Sequence, residues 1–254
     1  MHLQLDGKRA LVTGASRGIG RAAAESLAAE GCSLVLVART RVDLEATRES
    51  LSARYGVQVE VRAGDLSRSE AVDQLTADVG AVDVLVNNAG AIPPGDIEQV
   101  DEETWRAAWD LKVFGYLNLT RRMYPLMREA GGGVIINVIG AAGERPTPGY
   151  IAGSAGNASL MAVTRALGGV SRRDGIRVVA INPGLIETER LAVMTRRRAE
   201  RKLGDPERWR ELLDPVYPPG LPEHIGDLVA FLASPRSANT TGTVVTVDGG
   251  SSAR

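Results

Sequence analysis

Thr13-Gly14-Ala15-Ser16-Arg17-Gly18-Ile19-Gly20 stands between a short apolar run, Arg9–Thr13, and a helix-period segment over about 18–30. Glycines at 14, 18 and 20 let the backbone turn tightly and come close to a pyrophosphate. The N-terminus of the following helix adds unpaired N–H groups and the positive end of its dipole. Alone, such a turn marks only a strand-to-helix connection, so its surroundings decide the reading. Outward from it, apolar runs at Ser33–Ala38, 57–61, 82–86, 134–138, 177–181 and 243–247 alternate with helix-period segments at 41–54, 67–79, 101–129, 153–172, 188–213 and 223–233. The runs are rich in Val, Leu and Ile with few polar breaks, as expected of strands covered on both faces. Alternating strands and helices predict an α/β fold: a doubly wound, parallel, seven-stranded sheet with helices on both faces.

Composition narrows the function. The 254 residues are 44% hydrophobic and 24% charged, ordinary for a globular chain and predicting one domain over 1–254. No apolar run approaches the roughly 20 residues of a bilayer span, and no secretory pattern opens the sequence. Thirty Lys and Arg balance 31 Asp and Glu, which does not point to nucleic acid. One cysteine, Cys32, and two histidines exclude an internal disulfide and disfavour a metal centre. The expectation is a cytoplasmic protein without membrane or nucleic-acid partners.

Three further motifs fall at strand ends, where open α/β sheets bind ligands. They are Asp65-Leu66, Asn87-Asn88-Ala89-Gly90 and Asn182-Pro183-Gly184. With the Gly-rich turn they resemble the short-chain dehydrogenase/reductase family over nearly the whole chain. The resemblance implies a Rossmann-like nucleotide fold. It assigns Gly14, Ser16, Arg17, Gly18, Ile19 and Gly20 to the cofactor's phosphates, and Asp65 and Leu66 to the adenine. Asn88, Ala89 and Gly90 would flank the adenosine ribose, and Pro183, Gly184, Ile186 and Thr188 the nicotinamide side. An acid at the end of the second strand would read a ribose 2′-hydroxyl. Here Ala38-Arg39-Thr40 stands there, with Arg17 in the turn, and two guanidiniums suit a 2′-phosphate. NADP(H) is expected over NAD(H).

The family's chemistry uses a Ser, a Tyr-x-x-x-Lys pair and an Asn. In Trp109-Asp110-Leu111-Lys112-Val113-Phe114-Gly115, Lys112 takes the Asn place, and in Gly140-Ala141-Ala142-Gly143, Gly140 takes the Ser place. Tyr150 invites assignment as the Tyr, but Ser154 would then stand for the Lys. Counting back from Thr164 in the family-like run 158–167, or forward from Gly143, puts Gly153 in the Tyr place and Asn157 in the Lys place. This register keeps no member of the tetrad. Lys112 and Asn157 look like an exchange of the family's Asn and Lys, and Tyr150 lies about one turn before the lost Tyr. The candidate catalytic residues are therefore Lys112, Asn157 and Tyr150. The competing reading makes Lys112 a solvated or interface lysine and Tyr150 a packing residue.

Residues 185–222 resemble the family's substrate lid. Arg190, Arg196, Arg197, Arg198, Arg201, Lys202, Arg208 and Arg210 interleave there with Glu200, Glu207 and Glu211. A salt-bridged solvent face explains them, and an anionic small-molecule substrate is the sharper alternative. The resemblance also implies a homo-oligomer, tetramer or dimer. The leading function is an atypical NADP(H)-binding oxidoreductase with a non-standard catalytic site. The alternatives are a non-redox enzyme (lyase, hydrolase or isomerase) in the same cleft, or a catalytically silent nucleotide-binding subunit.

Overall fold

A computed structural model describes residues 2–253. Seven strands, β1 Arg9–Thr13, β2 Ser33–Ala38, β3 Val59–Ala63, β4 Val84–Asn87, β5 Gly133–Val138, β6 Ile176–Pro183 and β7 Val244–Val247, form one sheet in the order β3-β2-β1-β4-β5-β6-β7. Every pairing is parallel. The order reverses direction between β1 and β4, which opens a crevice above their carboxyl ends.

The alternation of strand side chains builds two cores. Ala10, Val12, Leu34, Leu36, Val84, Val86, Val179 and Ile181 face α1 (Gly18–Ala29) and α8 (Pro222–Ala233). Leu11, Val35, Val37, Leu85, Ile135 and Val178 face α3 (Ser69–Val79) and α5 (Gly115–Glu129). A Cβ at Gly226 would lie 2.6 Å from the Ala22 carbonyl oxygen, so this glycine sets how closely α1 and α8 cross. The remaining helices are α2 (Arg41–Tyr55), α4 (Glu102–Trp109), α6 (Ile151–Val170) and α7 (Glu189–Leu203).

Several boundaries differ from the sequence reading. The third strand runs from Val59 to Ala63 rather than over 57–61, because pairing with β2 begins at Leu34↔Val59. The fourth begins at Val84, two residues late, although the Asp83 backbone already bonds to Arg9 and Val134. The sixth strand extends to Pro183. The expected helix over 101–129 opens as read, with Asp101 accepting from the Thr104 N–H at 2.7 Å. It is not continuous: a single π-helical turn, Asp110–Phe114, separates α4 from α5. The expected helix over 188–213 stops at Leu203, where Gly204 adopts φ +71° and caps it. A 3₁₀ stretch, Pro206–Leu212, follows.

The 185–222 segment leaves and rejoins the body at one narrow neck. The Glu187 N–H donates to the Gly220 carbonyl at 2.8 Å, and the Gly220 N–H to the Leu185 carbonyl at 2.9 Å.

Candidate active site

The turn after β1 is built around contacts that only glycine permits. A Cβ at Gly14, where φ is +67°, would lie 2.8 Å from Asn88 Nδ2. A Cβ at Gly20 would overlap the Gly14 carbonyl. Asn88 Nδ2 donates to the Thr13 carbonyl at 3.0 Å and tethers the turn to the end of β4. Arg17, in the N-cap position of α1, makes no side-chain cap, and the first turn of α1 holds no acid. The first N–H groups of α1 thus lie at an uncapped positive helix end.

Thr13 was missed as a site residue. Its hydroxyl accepts from the Asn88 and Ala89 N–H groups, at 2.8 and 3.0 Å, and donates to the Val86 carbonyl. Thr13 is buried, so its methyl alone cannot replace these bonds. Thr13→Val leaves two backbone donors unpaired and lowers stability by about 1–3 kcal/mol. Urea unfolding followed by circular dichroism measures this.

Most sequence-selected nucleotide residues stand at or just beyond the carboxyl ends of the strands. Asp65 and Leu66 lie just beyond β3. The Asp65 carboxylate accepts from the Ser67 N–H and hydroxyl, and Gly115 lets α5 come close to the Leu66 carbonyl. Ala89 and Gly90 follow β4. Pro183 ends β6, and the Gly184 N–H donates to the Val247 carbonyl at 3.0 Å. Ile186 is buried at the neck of the 185–222 segment. Thr188 caps α7 and lays its methyl against Gly18. Ser16 and Ile19 belong to the turn itself. Arg17 and Arg39 are both exposed. Arg17 pairs with Glu189 of α7 at 3.1 Å, and Arg39 lines a shallow cleft of about 380 Å³ with Ala91, Pro93, Ala107 and Leu111.

Lys112 and Asn157 meet at the end of β5 without bonding to one another, and Tyr150 packs against the cluster of Ile92, Val100, Ala108 and Ala152. Lys112 lies within the π turn, a distortion common at functional sites. Its stem crosses Gly90, where any Cβ would overlap it. Its ammonium donates to the carbonyls of Val138 and Ile139, both at 3.0 Å, and to the Tyr116 hydroxyl at 3.3 Å. Tyr116 also donates to the Val138 carbonyl. Among the described residues no carboxylate pairs with Lys112. Burial, with Arg190 adding repulsion, holds its pKa down to about 7. Lys112 is thus neither a solvated nor a surface-paired lysine. Asn157 Nδ2 donates to the next carbonyl, Gly140, at 3.3 Å, while its buried Oδ1 has no partner. Gly140 has φ +142°, and a Cβ there would lie 2.9 Å from Asn157 Nδ2.

Tyr150 immediately precedes α6, and its ring lies over Gly153. A Cβ at Gly153 would overlap ring atoms Cε1 and Cζ. The ring therefore fills the space that any side chain at position 153 would need. Burial pushes the Tyr150 pKa up, and the Arg190 guanidinium beside its hydroxyl opposes that rise.

A buried amide ladder fixes the helices carrying these groups. Asn87 Nδ2 donates to Thr120 of α5 and to Asn137 of β5, and Asn137 Nδ2 to Thr164 of α6, all at 2.9–3.1 Å. Bonds of this kind inside a low-dielectric core specify one arrangement.

The family model for short chain dehydrogenases matches residues 8–199. The chain belongs to the short-chain dehydrogenase/reductase family. Galactitol 2-dehydrogenase (L-tagatose-forming) of Cereibacter sphaeroides is 33% identical, over 97% of this chain and 96% of that one. The structure of L-sorbose reductase from Gluconobacter frateurii, complexed with NADPH and L-sorbose, superposes with a TM-score of 0.91 at 33% identity, covering 98% of both chains. A 7α-hydroxysteroid dehydrogenase complexed with NADH and 7-oxo glycochenodeoxycholic acid gives 0.84 at 28% identity, over 98% of this chain and 96% of that one. Structural neighbours in this short-chain dehydrogenase/reductase family therefore hold either NADPH or NADH.

Proposed function

We propose that this protein is an NADP(H)-dependent oxidoreductase acting on a small carbonyl or alcohol, with its proton transfer rebuilt on Tyr150. The observation that carries this reading is the Tyr150 ring lying over Gly153, which leaves a phenol in the space next to the position of the family tyrosine. The lost tetrad is thereby read as a relocated acid rather than as a dead site.

The nucleotide turn fits a dinucleotide. Its glycines let the turn close tightly against Asn88 and Thr188, and the α1 N-terminus lacks a side-chain cap. Gly14, Ser16, Gly18, Ile19 and Gly20 would take the pyrophosphate, and Arg17 with Arg39 the 2′-phosphate. Asp65, Leu66, Asn88, Ala89 and Gly90 would take the adenosine, and Pro183, Gly184, Ile186 and Thr188 the nicotinamide side. When bound, the nicotinamide supplies or accepts the hydride. The unpartnered Asn157 Oδ1 suits a ribose hydroxyl as donor, and Lys112 fixes the end of β5 beneath it.

Arg39 and Arg17 favour NADP(H). Arg39→Ala and Arg17→Ala each weaken NADPH binding about tenfold, the worth of one charge-assisted bond, and leave NADH binding unchanged. Fluorescence titrations with the two nucleotides check this. Equal losses for both would remove the 2′-phosphate assignment.

Residues 185–222 are proposed as the substrate lid, hinged at the Leu185–Glu187/Gly220 neck. Its charges are partly spent internally, in Arg196–Glu207 and Arg208–Glu211 pairs.

The primary test combines nucleotide titration with a turnover screen over ketoses, polyols and α-diketones. Saturable NADPH binding and net NADPH consumption support the proposal. Product formed without net consumption favours a non-redox enzyme. Binding with no turnover on any substrate favours the silent subunit.

A further inference from the structure

Arg190 stands in the first turn of α7, two residues after Thr188. Its Nη1 donates to the Gly90 carbonyl at 3.0 Å and its Nη2 to the Ile92 carbonyl at 2.7 Å. These bonds carry the guanidinium from the 185–222 segment across to the loop after β4. There it reaches the cluster of Ile92, Val100, Ala108 and Ala152, against which Tyr150 packs, and lies beside the Tyr150 hydroxyl. Of the segment's other basic residues, Arg196 pairs with Glu207 and Arg208 with Glu211. Even Glu189, one residue before Arg190, turns away to Arg17. Among the described residues Arg190 has no carboxylate partner. It is a cation held by neutral carbonyls, next to a phenol confined over Gly153. A charge so placed lacks its counter-ion, and the Tyr150 phenol beside it can become one.

We propose that Arg190 is the positioning residue for Tyr150, aiming its Oη and stabilising the phenolate left after proton transfer. This rests on the reading of Tyr150 as the proton donor. In the reducing direction the Tyr150 O–H bond breaks and an O–H bond forms at the substrate's carbonyl oxygen. That oxygen receives the electron pair of the C=O π bond, and the carbon takes the hydride that a dihydronicotinamide supplies. The phenolate then regains a proton from solvent water. Arg190 plays no part in the bond changes; it lowers the cost of the negative charge at Oη. Because it is carried on α7, the acid is complete only when the 185–222 segment is seated on the Gly90–Ile92 loop.

The charged group that Tyr150 faces is Arg190, and burial works against it. Lys112 lies further in and is itself repelled by Arg190. The experiment places a fluorotyrosine at position 150 of the full chain and follows its ionisation by ¹⁹F NMR. The fluorinated ring titrates at a lower pH, which keeps the protein folded. Arg190→Met raises the proton affinity of residue 150 by about tenfold or more, the effect of removing one adjacent opposite charge. Arg190→Lys restores most of the difference, because it returns the charge. Gly153→Ala, which displaces the ring, makes the titration insensitive to Arg190→Met. An unmoved titration in Arg190→Met overturns the pairing, whatever happens to turnover or NADPH affinity. A moved titration together with full turnover in Tyr150→Phe leaves the pairing in place and removes the proton-donor role on which its catalytic meaning rests.

Discussion

Tyr150→Phe lowers turnover by about 10²–10⁴-fold, the usual worth of a general acid, with NADPH affinity unchanged. Phenylalanine keeps the ring that lies over Gly153, so packing at the start of α6 is preserved and only the hydroxyl is lost. Burial holds the Tyr150 pKa above its ordinary value despite Arg190. The phenol is therefore protonated at neutral pH, the state needed to give a proton to a carbonyl oxygen. The reverse reaction needs the phenolate. Alcohol oxidation accordingly increases with rising pH, while carbonyl reduction is favoured at neutral pH and below. Absorbance of NADPH, recorded in both directions across pH, measures each effect. Undiminished turnover in Tyr150→Phe would mean that water or the substrate itself delivers the proton. Tyr150, Asn157 and the cofactor's own positioning act as a unit, so the loss in a double variant is smaller than the product of the single losses.

The contrast between what the chain announces and what it hides follows from the range of the interactions. Gly14, Gly18 and Gly20 were legible because a local backbone constraint demands the residue type. The strand runs were legible because both sheet faces are covered, which leaves continuous apolar stretches. Strand ends were less so: Arg62 belongs to β3, yet reads as polar punctuation, because this edge strand buries only part of its length. The π turn at Asp110–Phe114 has no signature of its own, since Leu111, Lys112 and Val113 suit an ordinary helix. What marks the spot is tertiary: α5 must bring Gly115 to about 3.0 Å, as a would-be Cβ measures it, from the Leu66 carbonyl. The stop at Gly204 was readable, with Asp205 and Pro206 behind it, but the basic run across 196–210 obscured it. Register alone proposed an exchange between Lys112 and Asn157. That both side chains end on successive carbonyls of β5 and its exit, Val138, Ile139 and Gly140, emerged only from the fold. Arg190 was one of eight basic residues in its segment. Only the carbonyls of Gly90 and Ile92, a hundred residues away in sequence, single it out.

Lys112→Met makes the protein more stable at neutral pH and removes a rise of stability between pH 7 and 8.5. In the folded protein the amine titrates at about 7, against 10.5 for an ordinary lysine. Between those values the unfolded chain binds a proton that the folded one has released. Stability therefore climbs with pH, by up to about 1.4 kcal/mol per pH unit, or roughly 2 kcal/mol across this window. Below pH 7 both states carry the charge, and the full penalty of holding it away from water remains. The window must close near pH 8.5, because Cys32, buried and pushed up to about 12, ionises only in the unfolded chain above about pH 9 and acts in the opposite sense. Tyr116, raised well above its ordinary value, does the same above about pH 10. Methionine keeps most of the stem that crosses Gly90 but leaves the Ile139 carbonyl without its donor, and Tyr116 still serves Val138. That lost bond costs about 1 kcal/mol and lowers the curve without tilting it. Urea unfolding of both proteins at pH 6.5, 7.5 and 8.5 separates the two effects. Parallel curves would show that Lys112 keeps its charge in the folded state, held by the carbonyls of Val138 and Ile139. The cleft would then present a second permanent cation beside Arg190, and the case for an anionic substrate would strengthen.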